Sequence, residues 1–397
     1  MPASAIIVSV KHLSDHDPLI LRVVADGEDM PSRSLDVPVS GSSRVIEAEY
    51  ADFELVRPFV RTLLQLRPAS LRFDYLCNVT ADLCRFALAM GIPVSVSEGV
   101  ENVAVGQSAA DRRWAGALLD ALEGRGAASQ PADSKMINQN SSAGYEAYAF
   151  SSRNHRLLVT WAERVLPHFV DRERVLDLGC GTGVFLDQLA RRDIPARGVD
   201  SDRASVAYAQ LLGLEATLME GSEYLGLHPD EFDAVHCSHL IEHLPFSELG
   251  RAMRLIAGAL HPGGRAVFVF PDPESIRSQL LGFWRDPDHE RFYHPDTIIM
   301  MADAAGLALE SNSLDRPGRF IAPFSDSPPG WAPAAFRDYI RGTGEPFDVP
   351  PSDDDTQVQL AYLRAAVQRH EDWLARLWAV NQTWAWEDDA VVTFIKQ

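Results

Sequence analysis

The stretch that most constrains this chain is Val175-Leu-Asp-Leu-Gly-Cys-Gly-Thr-Gly183, where an apolar strand pattern runs into a glycine turn and then into a helix pattern from Val184. Gly179, Gly181 and Gly183 suit a backbone that turns sharply and approaches a ligand closely, beside the free N–H groups of a helix start. The same alternation continues on both sides. Helix patterns cover 155–169, 184–191, 203–212, 246–260 and 295–305; strand patterns cover 174–178, 196–199, 216–219, 234–237, 265–270, 307–313 and, at the C-terminus, 390–395. Strands alternating with helices at this spacing predict βαβ units and an α/β fold with a doubly wound, mostly parallel sheet.

The N-terminal 123 residues read as a smaller α/β accessory domain. Strands are expected at 5–10, 19–24, 43–49, 71–76 and 92–96, and helices at 53–66, 81–90 and 109–123. Residues 124–144 are poor in apolar side chains and rich in Ser, Ala, Gly and Asn, a linker composition that places a domain boundary there. The second domain, 145–397, carries an insertion at about 315–388, with a Pro-rich stretch and one long helix over 356–384. That helix holds Trp373 and Trp378, with Trp384 and Trp386 at its end, an array that suits a core or a homo-oligomer interface, or more sharply a sugar-stacking surface.

Charge excludes one class of partner. The 397 residues hold 36 basic and 56 acidic side chains, a net charge of -20, with Lys only at positions 11, 135 and 396. No stripe of Arg offsets this, so a nucleic acid backbone is a poor partner. Mean hydropathy is -0.11 and no apolar run is long enough for a membrane span. The N-terminus reads as a strand with no basic region ahead of it, unlike a signal peptide. Cys77, Cys84, Cys180 and Cys237 show neither a Cys-x-x-Cys pair nor zinc spacing, which fits free thiols in a reducing cytoplasm and no metal site.

The glycine turn departs from two common phosphate loops. Val184 stands where a dinucleotide fingerprint has its last Gly, and the Gly-Lys-Ser/Thr of a P-loop is absent. Asp177, two residues before the first Gly, suits a cationic or hydroxyl-bearing ligand. Asp200, at the end of the next strand, can accept both hydroxyls of a ribose; a helix-capping role is the plainer reading for its neighbour Asp202.

These residues resemble the motifs of class I S-adenosylmethionine-dependent methyltransferases. The resemblance implies S-adenosyl-L-methionine as cofactor and S-adenosyl-L-homocysteine as product. It assigns Asp177, Gly179 and Gly181 to the methionine end, Asp200 to the ribose, and Glu220 with Gly221 to the adenine region. Further segments resemble bacterial O-antigen and surface-polysaccharide methyltransferases: Glu220-Gly-Ser-Glu-Tyr-Leu225, His239-Leu-Ile-Glu-His-Leu-Pro-Phe246, Leu260-His-Pro-Gly-Gly264 and Phe283-Trp-Arg-Asp-Pro-Asp-His289. The likeness spans about 145–314 and the last strand. Departures at Glu220, Asp288 and Phe270-Pro-Asp-Pro273 bear on the acceptor side more than on the donor side.

Methyl transfer from a sulfonium needs an oriented nucleophile, and a base when the acceptor is a hydroxyl. His243 is one candidate base, against a plain helix-start role. His289 is the other, with Asp286 three residues earlier to orient its ring, against plain loop capping. For a phosphate acceptor, Arg285 or Arg291 would matter instead. Arg153 and Arg156 are candidate clamps for the cofactor carboxylate. Resemblance to ubiquinone O-methyltransferases would allow Glu242 to help bind a metal, but no second ligand is evident. The expected function is O-methylation of a glycan or glycan-like acceptor; a small specialised metabolite and a non-catalytic cofactor-binding scaffold are the alternatives.

Overall fold

The computed structural model describes residues 6–11, 19–25, 34–37 and 45–50, most of 53–125, all of 154–275, most of 278–314, scattered residues of 356–375, and 389–397. Two compact units emerge. One comprises 1–270, 286–312 and 390–397; the other comprises 271–285 and 313–389.

In the first unit, β1 (Ile6–Lys11), β2 (Leu19–Ala25) and β3 (Ser34–Val37) form an antiparallel sheet. The predicted strand over 43–49 is reduced to β4 (Val45–Ile46), whereas β3 falls where none was expected. Then follow α1 (Phe53–Leu66), β5 (Leu71–Phe73), α2 (Asn78–Ala89), β6 (Val94–Val96), β7 (Ala104–Val105) and α3 (Ala109–Leu122). Parallel pairs β4–β7 and β5–β6 complete this N-terminal layer. Helix α3 starts on a reciprocal cap: Ser108 Oγ accepts from Asp111 N, and Asp111 Oδ2 accepts from Ser108 N.

The rest of the unit is the expected doubly wound array. Its helices and strands are α4 (His155–Val165), β8 (Val175–Leu178), α5 (Val184–Ala190), β9 (Ala196–Asp200), α6 (Arg203–Leu211), β10 (Ala216–Leu218), α7 (Gly221–Leu227), β11 (Phe232–Ser238), α8 (Phe246–Ala259), β12 (Leu260–Pro271), α9 (Pro295–Asp303), β13 (Leu307–Asn312) and β14 (Asp389–Lys396). The predicted helix 155–169 stops being α-helical at Val165 and continues as a 3-10 turn through Leu166–His168. Pro167 explains the break, because its ring removes a backbone donor. The seven-stranded sheet has the order β10-β9-β8-β11-β12-β14-β13, parallel from β10 through β12, with β14 antiparallel to β13. Strand order reverses between β8 and β11, and such a switch point opens a crevice at the strands' C-terminal ends. All four residues of β8 are buried, as a central parallel strand requires.

The core does not divide at the linker that composition suggests. One buried cluster runs from Ile46, Phe59, Phe73 and Leu83 of the N-terminal layer to Val206, Tyr208, Leu211 and Leu212 of α6. Buried polar bonds cross the same junction. Trp114 Nε1 donates to Asp187 Oδ1 at 3.0 Å and Arg113 also pairs with Asp187, whose Oδ2 accepts from Arg191 Nε of its own segment at 2.8 Å. Tyr208 Oη donates to Asp82 Oδ1 at 2.9 Å, beside the buried Arg85–Asp82 pair. Trp114 and Asp187 are both fully buried. Among the described residues, α5 and α6 bury side chains against the N-terminal layer, on the far side of the expected boundary. The boundary segment 126–153 lies outside the described residues, as do all four tryptophans of the expected insertion helix. Among the described residues no helix is long and apolar enough to cross a membrane, and all four cysteines are buried and unlinked.

A protein beginning near Ser142 is expected to lose cooperative folding, and Trp114→Ala in the full chain to cost about 3–5 kcal/mol. Thermal and urea unfolding check both. A truncated protein that melts cooperatively and binds cofactor would restore the two-domain division.

Candidate active site

The glycine turn joins β8 to α5 at the switch point. Gly183 has φ +79°, and a Cβ there would meet Leu214 Cδ1 at 2.8 Å and Ala209 Cβ at 2.9 Å. Only glycine meets both demands, so α5 can start tight against α6. Asp200 then holds the turn: its Oδ2 accepts from Gly181 N and its Oδ1 from Asp202 N, both at 2.8 Å. Asp202 does what its plain reading implied, capping α6 through Ser205 N at 2.7 Å.

Asp177 is buried, and its Oδ1 accepts from His236 Nδ1 at 2.7 Å. His236 faces it across the β8–β11 register and packs on Phe185, with ring centroids 3.8 Å apart. Sequence reasoning missed His236, whose partner is a cross-strand neighbour. Gly179 and Gly181 lie in the turn at positive φ. Glu220 is exposed at the start of α7, and a Cβ on Gly221 would meet Leu178 Cδ1 at 2.8 Å, so glycine lets α7 begin against β8. Arg153 lies outside the described residues, and Arg156 pairs with Glu49 at 3.0 Å on an exposed surface. These placements bring Asp177, Gly179, Gly181 and Asp200 to one end of β8 and β9.

After β11 the chain makes a 3-10 turn, Ile241–His243, and the segment 286–291 is sewn to it. Glu290 N and Arg291 N donate to Glu242 O at 2.9 and 3.3 Å, and His243 Nδ1 donates to Asp288 O at 3.0 Å. The two imidazoles, His243 and His289, end with ring centroids 4.7 Å apart. Because a carbonyl only accepts, His243 carries its proton on Nδ1, and Nε2 is its basic nitrogen. At the predicted Asp286–His289 pair, His289 Nε2 lies 4.0 Å from Asp286 Oδ2, at ion-pair range, and 3.9 Å from Glu242 Oε1, while Asp286 Oδ1 accepts from Asp288 N at 3.0 Å. Arg291 lies over the rings of Tyr293 and Phe246, at 5.2 and 5.6 Å, and the side chain of Arg285 lies outside the described residues.

Glu242 is the centre of this cluster. His239 Nδ1 donates to its Oε1 at 3.1 Å, with His239 held at φ +51°, a conformation uncommon for a non-glycine residue. Burial pushes the Glu242 carboxyl up, but the His239 hydrogen bond and the charges of His239 and His243 outweigh it and hold it below the usual carboxylate range. Its Oε2 is buried and has no hydrogen-bond partner among the described residues. Glu242, His243 and His289 each offer a ligand atom, all within 4.8 Å of one another. A carboxylate with two imidazoles, one braced by a backbone carbonyl, fits a divalent cation. The expectation of no second ligand beside Glu242 is thus corrected.

A family described as a methyltransferase domain matches residues 150–312. Ubiquinone biosynthesis O-methyltransferase of Aeromonas salmonicida is 30% identical over 171 residues, 39% of this chain and 69% of that protein. The enzyme of the same name from Ralstonia nicotianae is 30% identical over 168 residues, 38% of this chain and 68% of its own length. For that of Idiomarina loihiensis, also 30% identical, the covered share falls to 61% of its length. A solved S-adenosylmethionine-dependent methyltransferase from Archaeoglobus fulgidus aligns with TM-score 0.42 at 21% identity, over 62% of this chain and 96% of that one. The chain belongs to the class I S-adenosylmethionine-dependent methyltransferases. It is an enzyme, and S-adenosylmethionine is its cofactor. The relatives carry ubiquinone-biosynthesis names, and the surface-polysaccharide likeness of the sequence segments finds no counterpart among them.

Replacing Asp200 by Ala removes both the brace on Gly181 and the acceptor for a ribose. Binding of S-adenosylhomocysteine is expected to weaken by about 10- to 150-fold, the worth of about 1.5–3 kcal/mol in bonds to a charged group. Calorimetry giving equal affinities for wild type and Asp200→Ala would remove Asp200 from the donor site.

Proposed function

We propose that this methyltransferase acts on a hydroxyl oxygen of its acceptor, and that the cluster of Glu242, His243 and His289 takes up the proton. The observation that carries this reading is the hydrogen bond from His243 Nδ1 to Asp288 O, which leaves Nε2 as the basic nitrogen beside a second imidazole and a buried carboxylate. On the donor side, Asp200 accepts the ribose hydroxyls, Asp177 and the turn from Gly179 to Gly181 hold the methionine end, and Glu220 with Gly221 borders the adenine.

The acceptor oxygen attacks the methyl carbon as the carbon–sulfur bond breaks. The electron pair of that bond stays on sulfur, giving neutral S-adenosylhomocysteine, and the hydroxyl proton passes to an imidazole nitrogen. Alignment supplies much of the acceleration, and general-base assistance is worth about 10²–10⁴ in rate. A divalent cation held by Glu242, His243 and His289 would supply Lewis acidity that makes a bound hydroxyl easier to ionise.

The names of the relatives support a small-molecule hydroxyl as acceptor. A glycan hydroxyl is the second reading, favoured by the likeness of the 283–289 segment, which includes the exposed Trp284.

His243→Ala and His289→Ala are each expected to lose about 10²–10⁴ in turnover on a hydroxyl acceptor while keeping cofactor affinity, measured from about pH 6 to pH 9. Full activity in both variants with a flat pH profile would contradict the reading. Chelation assigns the role within it: turnover abolished by a chelator and restored by added divalent cation identifies ligands, and turnover indifferent to chelator identifies a base.

A further inference from the structure

A glycine turn has few side chains with which to hold itself. Between Gly179 and Gly183 only Cys180 and Thr182 carry one, and Thr182 sits between Gly181 and Gly183, both at positive φ. Asp200 fixes one side of the turn by accepting from Gly181 N. On the other side, Thr182 Oγ1 lies 3.1 Å from His155 Nε2, at the start of α4, and both side chains are buried. The imidazole of His155 is set in a group of aromatic rings from the N-terminal layer and α6. Tyr50 stacks on it at 5.2 Å with an interplanar angle of 18°, Tyr208 lies at 5.6 Å, and Phe86 at 6.0 Å. Tyr50 in turn meets Trp114 edge-on at 4.8 Å, and Trp114 is the side chain that binds Asp187 of α5.

We propose that His155 is a positioning residue of the donor site, fixing the glycine turn through Thr182, and that the N-terminal layer sets the imidazole by stacking Tyr50 on it and packing Phe86 beside it. The turn is then braced from two directions before cofactor arrives, by Asp200 from β9 and by His155 from α4. A turn already held in its bound shape loses little freedom on binding, so removing one brace lowers affinity without removing any group that touches the cofactor. This gives the N-terminal layer a part in the donor site beyond covering α5 and α6.

The test uses the full chain and calorimetry with S-adenosylhomocysteine. His155→Phe keeps a ring for the stack and loses the bond; Thr182→Val keeps the shape and loses the same bond from its other end. Each is expected to weaken binding about 5-fold, near the ~1 kcal/mol of one hydrogen bond. The double variant is expected to be no weaker than either single one, because one interaction is being removed twice. His155→Gln, which retains an amide that can meet the hydroxyl, is expected to stay within about 2-fold of wild type, and Tyr50→Leu to lose about 2- to 3-fold. Unchanged affinity in Thr182→Val overturns the proposal even if His155→Phe fails to fold. So do losses that multiply in the double variant, a His155→Gln as weak as His155→Phe, or a neutral Tyr50→Leu.

Discussion

The glycine turn depends on one carboxylate holding a backbone that cannot hold itself. Asp200 ends β9 and accepts from Gly181 N and from Asp202 N, so a single side chain ties the glycine turn to the start of α6. Parallel pairing puts it there: β8 and β9 run in register, with Leu178 opposite Val199, so Asp200 emerges at the level where the turn begins. A bond to a charged acceptor is among the stronger polar contacts, and it serves the turn with or without a ligand. Gly183 completes the arrangement from the other end by letting α5 begin where any Cβ would collide with α6.

The second constraint is the buried charge under α5. Asp187 is fully buried, and its carboxylate is partnered by Arg113, Arg191 and the indole N–H of Trp114. Two of these partners come from α3. A buried carboxylate stripped of its partners costs about 3–5 kcal/mol, comparable with the whole stability of many domains. The N-terminal layer and the sheet are therefore one folding problem, joined by polar bonds as well as by the apolar cluster around Tyr208.

How much of this was legible in the sequence follows from how local each signal is. The strand–turn–helix at 175–184 and the acids at 177 and 200 are local patterns, and they fall where the sequence placed them. The partners of those acids are not local: His236 reaches Asp177 across two strands, and Trp114 reaches Asp187 between helices far apart in the chain. Asp286 and His289, three apart in the sequence, lie at ion-pair range, while the turn that also gives Asp286 to Asp288 N is a backbone feature the spacing does not show. The Glu242–His289 proximity was invisible because it rests on backbone bonds from Glu290 and Arg291 to Glu242. Composition located a linker at 124–144, but a polar linker says nothing about which apolar faces of its neighbours must be covered.

The proposed donor groups lie at the C-terminal ends of β8 and β9 and the proposed acceptor groups follow the end of β11, which fixes where cofactor and acceptor must meet. Reacting atoms sit about 3–3.5 Å apart in a productive complex, and a base lies about 2.6–3.2 Å from the proton-bearing oxygen. The direct measurement is a crystal structure of the protein with S-adenosylhomocysteine. The account predicts ribose hydroxyls on Asp200 and the sulfur facing the Glu242–His243–His289 cluster across a gap that one methyl group and one acceptor oxygen would fill. A cofactor whose ribose avoids Asp200, or whose sulfur is walled off from that cluster, would contradict it.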